Sequence, residues 1–410
     1  MKEMKILMKD YTYNLPDARI AKYPLEKRDE SKLLIYKYGE VSESIFKNIS
    51  NYLPSGSLMV FNNTKVVPAR MFFKKDTGAI IEIFCLEPCS PMDYVQAFDA
   101  KGSSRWKVIV GNIKRWKHGK LSAYLHADFS NTLLDMNLKA ELISRDAEII
   151  VEFTWNDKYT FSEILENHGK IPIPPYLNRE SEAIDTIRYQ TTYAKRKGSV
   201  AAPTAGLHFT PKVLEDLKAK GIIEENVCLH VGAGTFLPVK SKDIIDHTMH
   251  KEPFIVSLDL LEKLNNKSDN QKVIAVGTTS TRTLESLYYL GLDCYKQGPI
   301  NWTPRTVEQW APYNHEGEEM PSLFTVTKAL IEYMKINDLQ SFMTRTQIII
   351  VPSYKFQVVD ILVTNFHQPH STLLLLIAAF IGEDWQKAYD YAMKHDFRFL
   401  SYGDSCLMFR

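Results

Sequence analysis

Four short apolar segments, each followed by a loop of small and polar residues, constrain the fold of this chain most strongly. The third segment leads through "GTTSTR" into a predicted helix that ends at Gly291, and the fourth leads to the predicted helix Thr372–Ile381, stopped by Gly382. Apolar strands that alternate with helices indicate an α/β fold with a partly parallel sheet. The four predicted strands are residues 58–61, 227–231, 273–276 and 358–363.

A different pattern interrupts these segments between residues 66 and 155. Short runs alternate apolar and polar side chains there, separated by turn-length gaps, which is typical of a small barrel or sandwich. We therefore predict a discontinuous α/β catalytic domain of residues 1–65 and 156–410, with a small all-β barrel domain inserted at 66–155. The predicted strands of the insert are residues 79–86, 94–97, 106–110, 121–125, 138–143 and 148–155.

Composition excludes several classes of protein. A net charge of +1 over 410 residues means that the protein has no large overall positive charge to attract nucleic acid, so any nucleic acid must bind to a local basic patch. The longest apolar run, residues 373–381, is about half of a membrane span, and residues 1–10 lack the core of a signal peptide. Five cysteines without a CxxC pair fit a reducing compartment. We expect a cytoplasmic protein without a membrane association.

The loops after the predicted strands are candidates for a ligand site, because ligands of parallel sheets bind beyond the carboxyl ends of the strands. The alternative is that these residues only cap helices and form turns. Arg282 could pair with a carboxylate, and the helix start around Thr278 could bind an anion. The candidate substrate-binding residues of these loops are Asn62, Asn63, Gly232, Gly234, Thr235, Thr278, Thr279, Ser280, Arg282, Asn365 and His367.

The segment "GSVAAPTAGLHFT" (198–210) places a run of small residues before a histidine and a helix start. Thr210 and Pro211 have the types preferred at the N-cap and first position of a helix. His208 and His230 are candidates for proton transfer, because a neutral imidazole near a helix N-terminus can accept a proton. Thr204 and Phe209 are further substrate-binding candidates, the alternative for Phe209 being core packing. The motif "HTMHKE" (247–252) lacks the order of a zinc-protease helix, and we expect no metal.

Long ordered motifs make the chain resemble, nearly end to end, the S-adenosylmethionine:tRNA ribosyltransferase-isomerase family of queuosine biosynthesis. The resemblance also implies an α/β domain with an inserted β-barrel. The motifs include "LPDARIAKYPLEKRDESKLL" (15–34), "MVFNNTKVVPAR" (59–70), "RYQTTYAKRKGSVAAPTAGLHFT" (188–210), "LHVGAGTFLPV" (229–239), "AVGTTSTRTLES" (275–286) and "VDILVTNFHQPHSTLL" (359–374).

The resemblance implies an activity. S-adenosylmethionine, consumed as a co-substrate with no other bound cofactor, gives its ribosyl group to 7-aminomethyl-7-deazaguanine at the tRNA wobble position. The products are epoxyqueuosine in tRNA, adenine and methionine. The sequence leaves open whether the protein is a monomer or a homodimer. One alternative, a tRNA methyltransferase, would need an early Gly-rich nucleotide loop, which we do not find. The other is a non-catalytic tRNA-binding protein with this fold.

Three basic stretches are candidate tRNA contacts, because anticodon loops are held by phosphate contacts and by stacking on aromatic rings. The alternative is that they are solvated surface. The chain departs from the family pattern at Ser353 (usually Gly), at Gln368 (usually Leu) and across residues 110–120. Residues 302–322 receive no role from the sequence. The candidate tRNA-binding residues are Arg28, Arg115, Trp116, Lys195, Arg196 and Lys197.

Overall fold

The computed structural model describes residues 5–124, 136–146, 148–230, 239, 241–315 and 317–410. Its strands are β1 (Lys32–Lys37), β2 (Glu40–Ile45), β3 (Leu58–Asn62), β4 (Thr64–Val66), β5 (Arg70–Lys74), β6 (Ile80–Ser90), β7 (Ser103–Val110), β8 (Lys120–Ala123), β9 (Lys139–Ser144), β10 (Ile150–Thr154), β11 (Gly169–Lys170), β12 (Arg196–Ser199), β13 (Ile223–Leu229), β14 (Glu252–Ser257), β15 (Val273–Val276), β16 (Ser341–Thr346), β17 (Ile361–Asn365) and β18 (Ser405–Phe409).

The α-helices connect and cover these strands. They are α1 (Tyr94–Asp99), α2 (Phe161–His168), α3 (Ala183–Arg188), α4 (Pro211–Ala219), α5 (Leu258–Asn265), α6 (Thr278–Gln297), α7 (Leu323–Ile336), α8 (Thr372–Ile381) and α9 (Asp384–Lys394). In the part of the chain that the structure describes, none of them is both long and apolar enough to cross a membrane.

A nine-stranded mixed sheet forms the larger unit, in the order β16-β14-β13-β3-β15-β17-β18-β1-β2. Its four central strands, β13, β3, β15 and β17, run parallel to one another. Alternate side chains of β3 enter different cores: Leu58 and Val60 pack with the helices of one face, whereas Met59 and Phe61 pack with α4 on the other. The predicted partly parallel α/β sheet is therefore confirmed.

The smaller unit is a closed antiparallel barrel of six strands in the order β5-β6-β7-β10-β9-β8, and pairing of β5 with β8 closes it. The strands lie within the predicted insert and confirm the all-β barrel. The predicted strand at 94–97 is wrong, because these residues form α1. Asp93 caps this helix by accepting from the Gln96 N–H, and Tyr94, Ala97 and Phe98 bury one helical face. A run this short does not distinguish the two periodicities.

The sequence predicted the starts of the helices better than it predicted their ends. The Thr210 hydroxyl accepts from the Val213 N–H and Pro211 opens α4, as predicted, and α8 has its predicted bounds. The predicted end of α6 at Gly291 is wrong, because the helix continues to Gln297. A Cβ at Gly291 would lie 2.5 Å from the Val326 carbonyl oxygen, so this glycine lets α6 and α7 approach closely.

Candidate functional site

A cavity of about 760 Å³ lies where the parallel strands of the sheet end and the barrel begins. Residues after β13, β15 and β17 line one side of it, and barrel residues such as Tyr94 and Lys107 line the other. The volume is in the range of small-molecule and cofactor sites. The predicted site residues that the structure brings together in its wall are Thr204, His230, Thr278, Thr279, Arg282, Asn365 and His367.

The N-terminus of α6 forms a polar corner of this cavity. Its N-cap is Gly277, which carries no capping side chain, so first-turn N–H groups face outward as in other helix starts. Arg282, one turn further on, pairs with Glu252 and donates from Nε to the Ile348 carbonyl. Its Nη2 atom is buried and makes no hydrogen bond with the described residues. These donors suit an anionic group such as a carboxylate.

His230, directly after β13, is a buried neutral imidazole in the cavity wall. Its ring stacks on Tyr94 of the barrel unit, with centroids 4.3 Å apart. Burial, with a smaller contribution from the Arg196 charge, lowers its pKa to about 4. Nδ1 is buried against the backbone of Gly198, and Nε2 is 3.9 Å from the Cys228 sulfur. The ring is therefore neutral near pH 7, which is the form that can accept a proton.

His208 lies behind the cavity wall. It borders a separate, small cavity of about 20 Å³. Nδ1 is 2.8 Å from the Ser31 hydroxyl oxygen, and Nε2 is 3.2 Å from the Asn365 amide nitrogen. Burial lowers its pKa to about 4. Because both ring nitrogens are engaged inside the protein, the placement favours a supporting role over the direct proton transfer predicted for it.

His367 lies in the cavity wall after β17. Its Nε2 atom is 2.9 Å from the Thr364 hydroxyl oxygen, and its backbone N–H donates to the Tyr389 hydroxyl. Burial lowers its pKa to about 3. A neutral ring anchored on one nitrogen can present the other one to a ligand.

Several predicted substrate-binding residues hold the fold together instead of lining the cavity. Asn62 donates to the Leu229 carbonyl and accepts from the Leu229 N–H, so it joins β3 to β13. Ser280 donates to the Val276 carbonyl one turn back, and Phe209 is fully buried among aromatic rings. Asn63 is half-buried and lies outside the cavity lining. Gly232, Gly234 and Thr235 lie outside the described residues.

The small residues of the 198–210 segment are explained by close approach. A Cβ at Gly198 would lie 2.5 Å from the His230 ring, and one at Gly206 would lie 1.9 Å from the Tyr193 hydroxyl. Ala201 and Ala205 line the large cavity, where their short side chains leave space. The segment therefore makes room for His230 and for a ligand.

The residues predicted to contact tRNA differ in how far their side chains are exposed to solvent. Lys195 and Arg196 are exposed at the start of β12, whereas the exposed Lys197 amine is held by Glu166 and Ser162 of α2. Arg115 is exposed on the barrel. Arg28 is half-buried, donates to the Gln190 carbonyl, and has a pKa lowered by burial.

Trp116 does not suit its predicted stacking role. Its side chain is fully buried in the barrel core, and its indole N–H donates to the Gly119 carbonyl. A buried ring has no face on which a tRNA base can stack, so the prediction for this residue is corrected.

The segment 246–253, which contains the motif "HTMHKE", lines the cavity. Gln309 accepts from the Met249 N–H and donates to the His247 carbonyl, and Gln347 donates to the Met249 carbonyl. The glutamines thus fix the backbone and leave side chains for the cavity. Among the described residues, no cluster of three or more His, Cys, Asp or Glu side chains could hold a metal ion.

Comparisons with known proteins give one consistent result. A family model described as "Queuosine biosynthesis protein" matches residues 8–408. A relative from Sulfurihydrogenibium sp. (strain YO3AOP1) is 35% identical over 407 residues, covering 98% of this chain and 99% of its own. One from Trichlorobacter lovleyi is 36% identical over 409 residues, covering 98% and 100%. Both are named S-adenosylmethionine:tRNA ribosyltransferase-isomerase.

A solved structure was also found. It is a crystal structure of an S-adenosylmethionine tRNA ribosyltransferase from Thermotoga maritima, 28% identical, with a TM-score of 0.46. The match covers 97% of this chain and 99% of that one.

Proposed function

The chain belongs to the queuosine biosynthesis protein family, and from this premise we propose that it is an S-adenosylmethionine:tRNA ribosyltransferase-isomerase. It transfers the ribosyl moiety of S-adenosylmethionine to 7-aminomethyl-7-deazaguanine at the wobble position of tRNA and isomerises it. The products are epoxyqueuosine in tRNA, adenine and methionine. A tRNA substrate would place the protein in the cytoplasm.

The observation that carries this proposal is the cavity shared by the two units. A transfer between two large substrates depends on holding them together in register. The sheet side of the cavity supplies the α6 N-terminus and Arg282, and the barrel side supplies Tyr94 and Lys107. We assign the sheet side to S-adenosylmethionine, as a consumed co-substrate, and the barrel side to the wobble nucleotide.

The methionyl carboxylate of S-adenosylmethionine fits the polar corner at α6. First-turn N–H groups near Thr278 and Thr279 would donate to it, and the unsatisfied Arg282 Nη2 would gain a partner. The Glu252 pairing holds the guanidinium in place from behind.

His230 is proposed as the proton acceptor. The ribose carbon beside the sulfonium is acidified by the positive sulfur, and a neutral imidazole can remove its proton. His230 is preferred to His208 because it lines the large cavity, whereas both ring nitrogens of His208 are engaged by Ser31 and Asn365 behind the cavity wall. His367 and Thr204 remain candidates for contacts with the ribose hydroxyls or the departing adenine.

The tRNA contacts are proposed on the exposed Lys195 and Arg196, with Arg115 on the barrel. The positive charge of Arg196 is close enough to His230, the proposed acceptor, to contribute to the lowering of its pKa. A backbone phosphate bound there would lie beside the cavity, as a flipped or unstacked wobble base requires.

A product assay tests the function. Purified protein is mixed with S-adenosylmethionine and tRNA carrying 7-aminomethyl-7-deazaguanine, and the digested nucleosides and released bases are identified by mass spectrometry. Epoxyqueuosine with an equal amount of adenine supports the proposal. S-adenosylhomocysteine would instead indicate a methyltransferase, and tRNA retention without adenine release would indicate a binding protein.

A further inference from the structure

Asn365, at the end of β17, lines the large cavity and carries a buried acceptor atom without a partner among the described residues. The residue is 3% exposed, and the acceptor is its Oδ1 atom. A buried acceptor left unsatisfied is costly, and native proteins rarely keep one without a use. Its amide nitrogen, by contrast, is 3.2 Å from His208 Nε2.

The surroundings of His208 fix the orientation of this amide. Nδ1 of His208 lies 2.8 Å from the Ser31 hydroxyl oxygen and 3.4 Å from the Arg28 carbonyl oxygen. We assign the proton to Nδ1, because the Arg28 carbonyl beside it only accepts, and Nε2 of the neutral ring is then an acceptor. With this tautomer the Asn365 amide nitrogen donates to Nε2. This leaves Oδ1 as the amide atom without a partner among the described residues.

The position of Asn365 suggests what the acceptor binds. β17 runs parallel to its neighbour β15, with Val363 beside Val276, so Asn365 and Thr278 both lie two residues further along. Neighbouring strands are about 4.8 Å apart. Asn365 thus lies on the strand next to the one that leads into α6, and both Asn365 and Thr278 line the cavity. An α-amino acid carries an ammonium donor on the carbon next to its carboxylate, which matches an acceptor beside an anion site.

We propose that Asn365 Oδ1 accepts a hydrogen bond from the α-ammonium group of the methionyl moiety of S-adenosylmethionine, and that His208 is a positioning residue that holds the amide in this orientation. The inference rests on the proposed function for the identity of the ligand. It gives His208 a role that needs no contact with substrate, and it assigns the ammonium group to the end of β17 and the carboxylate to the start of α6.

Calorimetric titration with two ligands tests the inference. S-adenosylmethionine is compared with its analogue that lacks the α-amino group, on the wild-type protein and on Asn365→Ala. The wild type should bind S-adenosylmethionine about tenfold or more tightly than the analogue, as for hydrogen bonds to charged groups. In Asn365→Ala this preference should disappear, while affinity for the analogue stays unchanged and shows that the variant is folded.

Two further variants test the positioning role of His208. His208→Ala should lose the same ligand preference, whereas His208→Gln should keep part of it, because a side-chain amide oxygen can accept from Asn365 as Nε2 does. A structural role alone would weaken both ligands equally in His208→Ala.

The outcomes separate this inference from the proposed function. A wild type that binds both ligands equally well overturns the inference and leaves the function in place. Equal loss of both ligands in a folded Asn365→Ala also overturns it, because Asn365 would then contact the ribose or adenine. A folded wild type that binds neither ligand and forms no epoxyqueuosine overturns the proposed function itself, and with it this assignment.

Discussion

The imidazole of His230 lies nearly parallel to the phenol ring of Tyr94, with an interplanar angle of 13° and centroids 4.3 Å apart. The first residue follows β13 of the large sheet, and the second begins α1 in the barrel unit. The stack therefore couples the two units at the proposed proton acceptor. Any shift of the barrel against the sheet would move the base relative to its substrate, where positioning accounts for much of the rate.

His230→Ala should lower turnover by about a hundredfold to ten-thousandfold, the contribution typical of a general base. S-adenosylmethionine binding should persist, because the anion corner at Arg282 does not include this ring. Single-turnover adenine release and calorimetric binding measure the two effects separately. Near-normal adenine release by the variant would rule out His230 as the base.

Gly198→Ala should also reduce turnover, although it adds only a methyl group. The new Cβ would lie 2.5 Å from Cε1 and Nδ1 of His230, and the backbone φ of +142° disfavours a side chain as well. The ring must move, so we expect at least a tenfold loss in turnover from misplacement of the base. Gly119→Ala is the matched control, because it also has positive φ (+87°) but open space around it. Equal activity of the two variants would contradict the steric explanation.

The parallel centre of the sheet was predictable because β3, β15 and β17 are almost wholly apolar, as strands buried on both faces must be. The helical state of residues 94–97 was not, because four residues fit both periodicities and the outcome depended on the Asp93 cap and on burial of Tyr94. Gly291 inside α6 was misread for a similar reason. The sequence alone does not distinguish a glycine that ends a helix from one that allows a second helix to pack closely against it.

The candidate site was predictable where it depends on strand ends and not where it depends on contacts distant in sequence. Asn365 ends β17 and Thr278 follows the parallel strand β15, so both are expected at the same edge of the sheet. The pairing of Arg282 with Glu252 joins α6 to β14, and no local pattern encodes it. The engagement of Asn62 with Leu229 likewise turned a predicted ligand contact into a bond between β3 and β13.

Stability should fall as the pH drops from about 6.5 towards about 4. Burial lowers the pKa of His208 and His230 to about 4 and of His367 to about 3, from an ordinary value of 6.5. Between these values the unfolded chain binds more protons, so stabilisation is complete above pH 6.5 and is lost on acidification. Each histidine contributes about 1.4 kcal/mol per pH unit. The free energy of unfolding, measured with urea between pH 7 and 5, should fall with decreasing pH, and His367→Gln should reduce this slope by the contribution of one histidine. An unchanged slope in the variant would contradict the buried neutral state of His367.

Substitutions in the basic segment at β12 should affect tRNA binding unequally. Lys195→Ala and Arg196→Ala should each weaken tRNA binding, because both side chains are exposed. Each should also reduce the slope of log affinity against log salt concentration by the amount expected for about one phosphate contact. Lys197→Ala should have less effect, since its amine already bonds Glu166 and Ser162. Binding of tRNA at several salt concentrations measures these slopes. A dominant effect of Lys197 would show that it leaves Glu166 to bind RNA.

Ser353→Gly should stabilise the protein by about 1 kcal/mol, because Ser353 has φ of +83°, a region in which side chains are strained. Relief of strain must exceed the entropy that a glycine adds to the unfolded chain, which is about 0.4–1 kcal/mol. Ser42 is exposed in the extended strand β2 and has no backbone strain to lose. Ser42→Gly therefore only increases the entropy of the unfolded chain and should destabilise the protein. Thermal unfolding of both variants compares them directly. If Ser353→Gly destabilises as much as Ser42→Gly, then the turn at 353 is unstrained and the serine is well accommodated there.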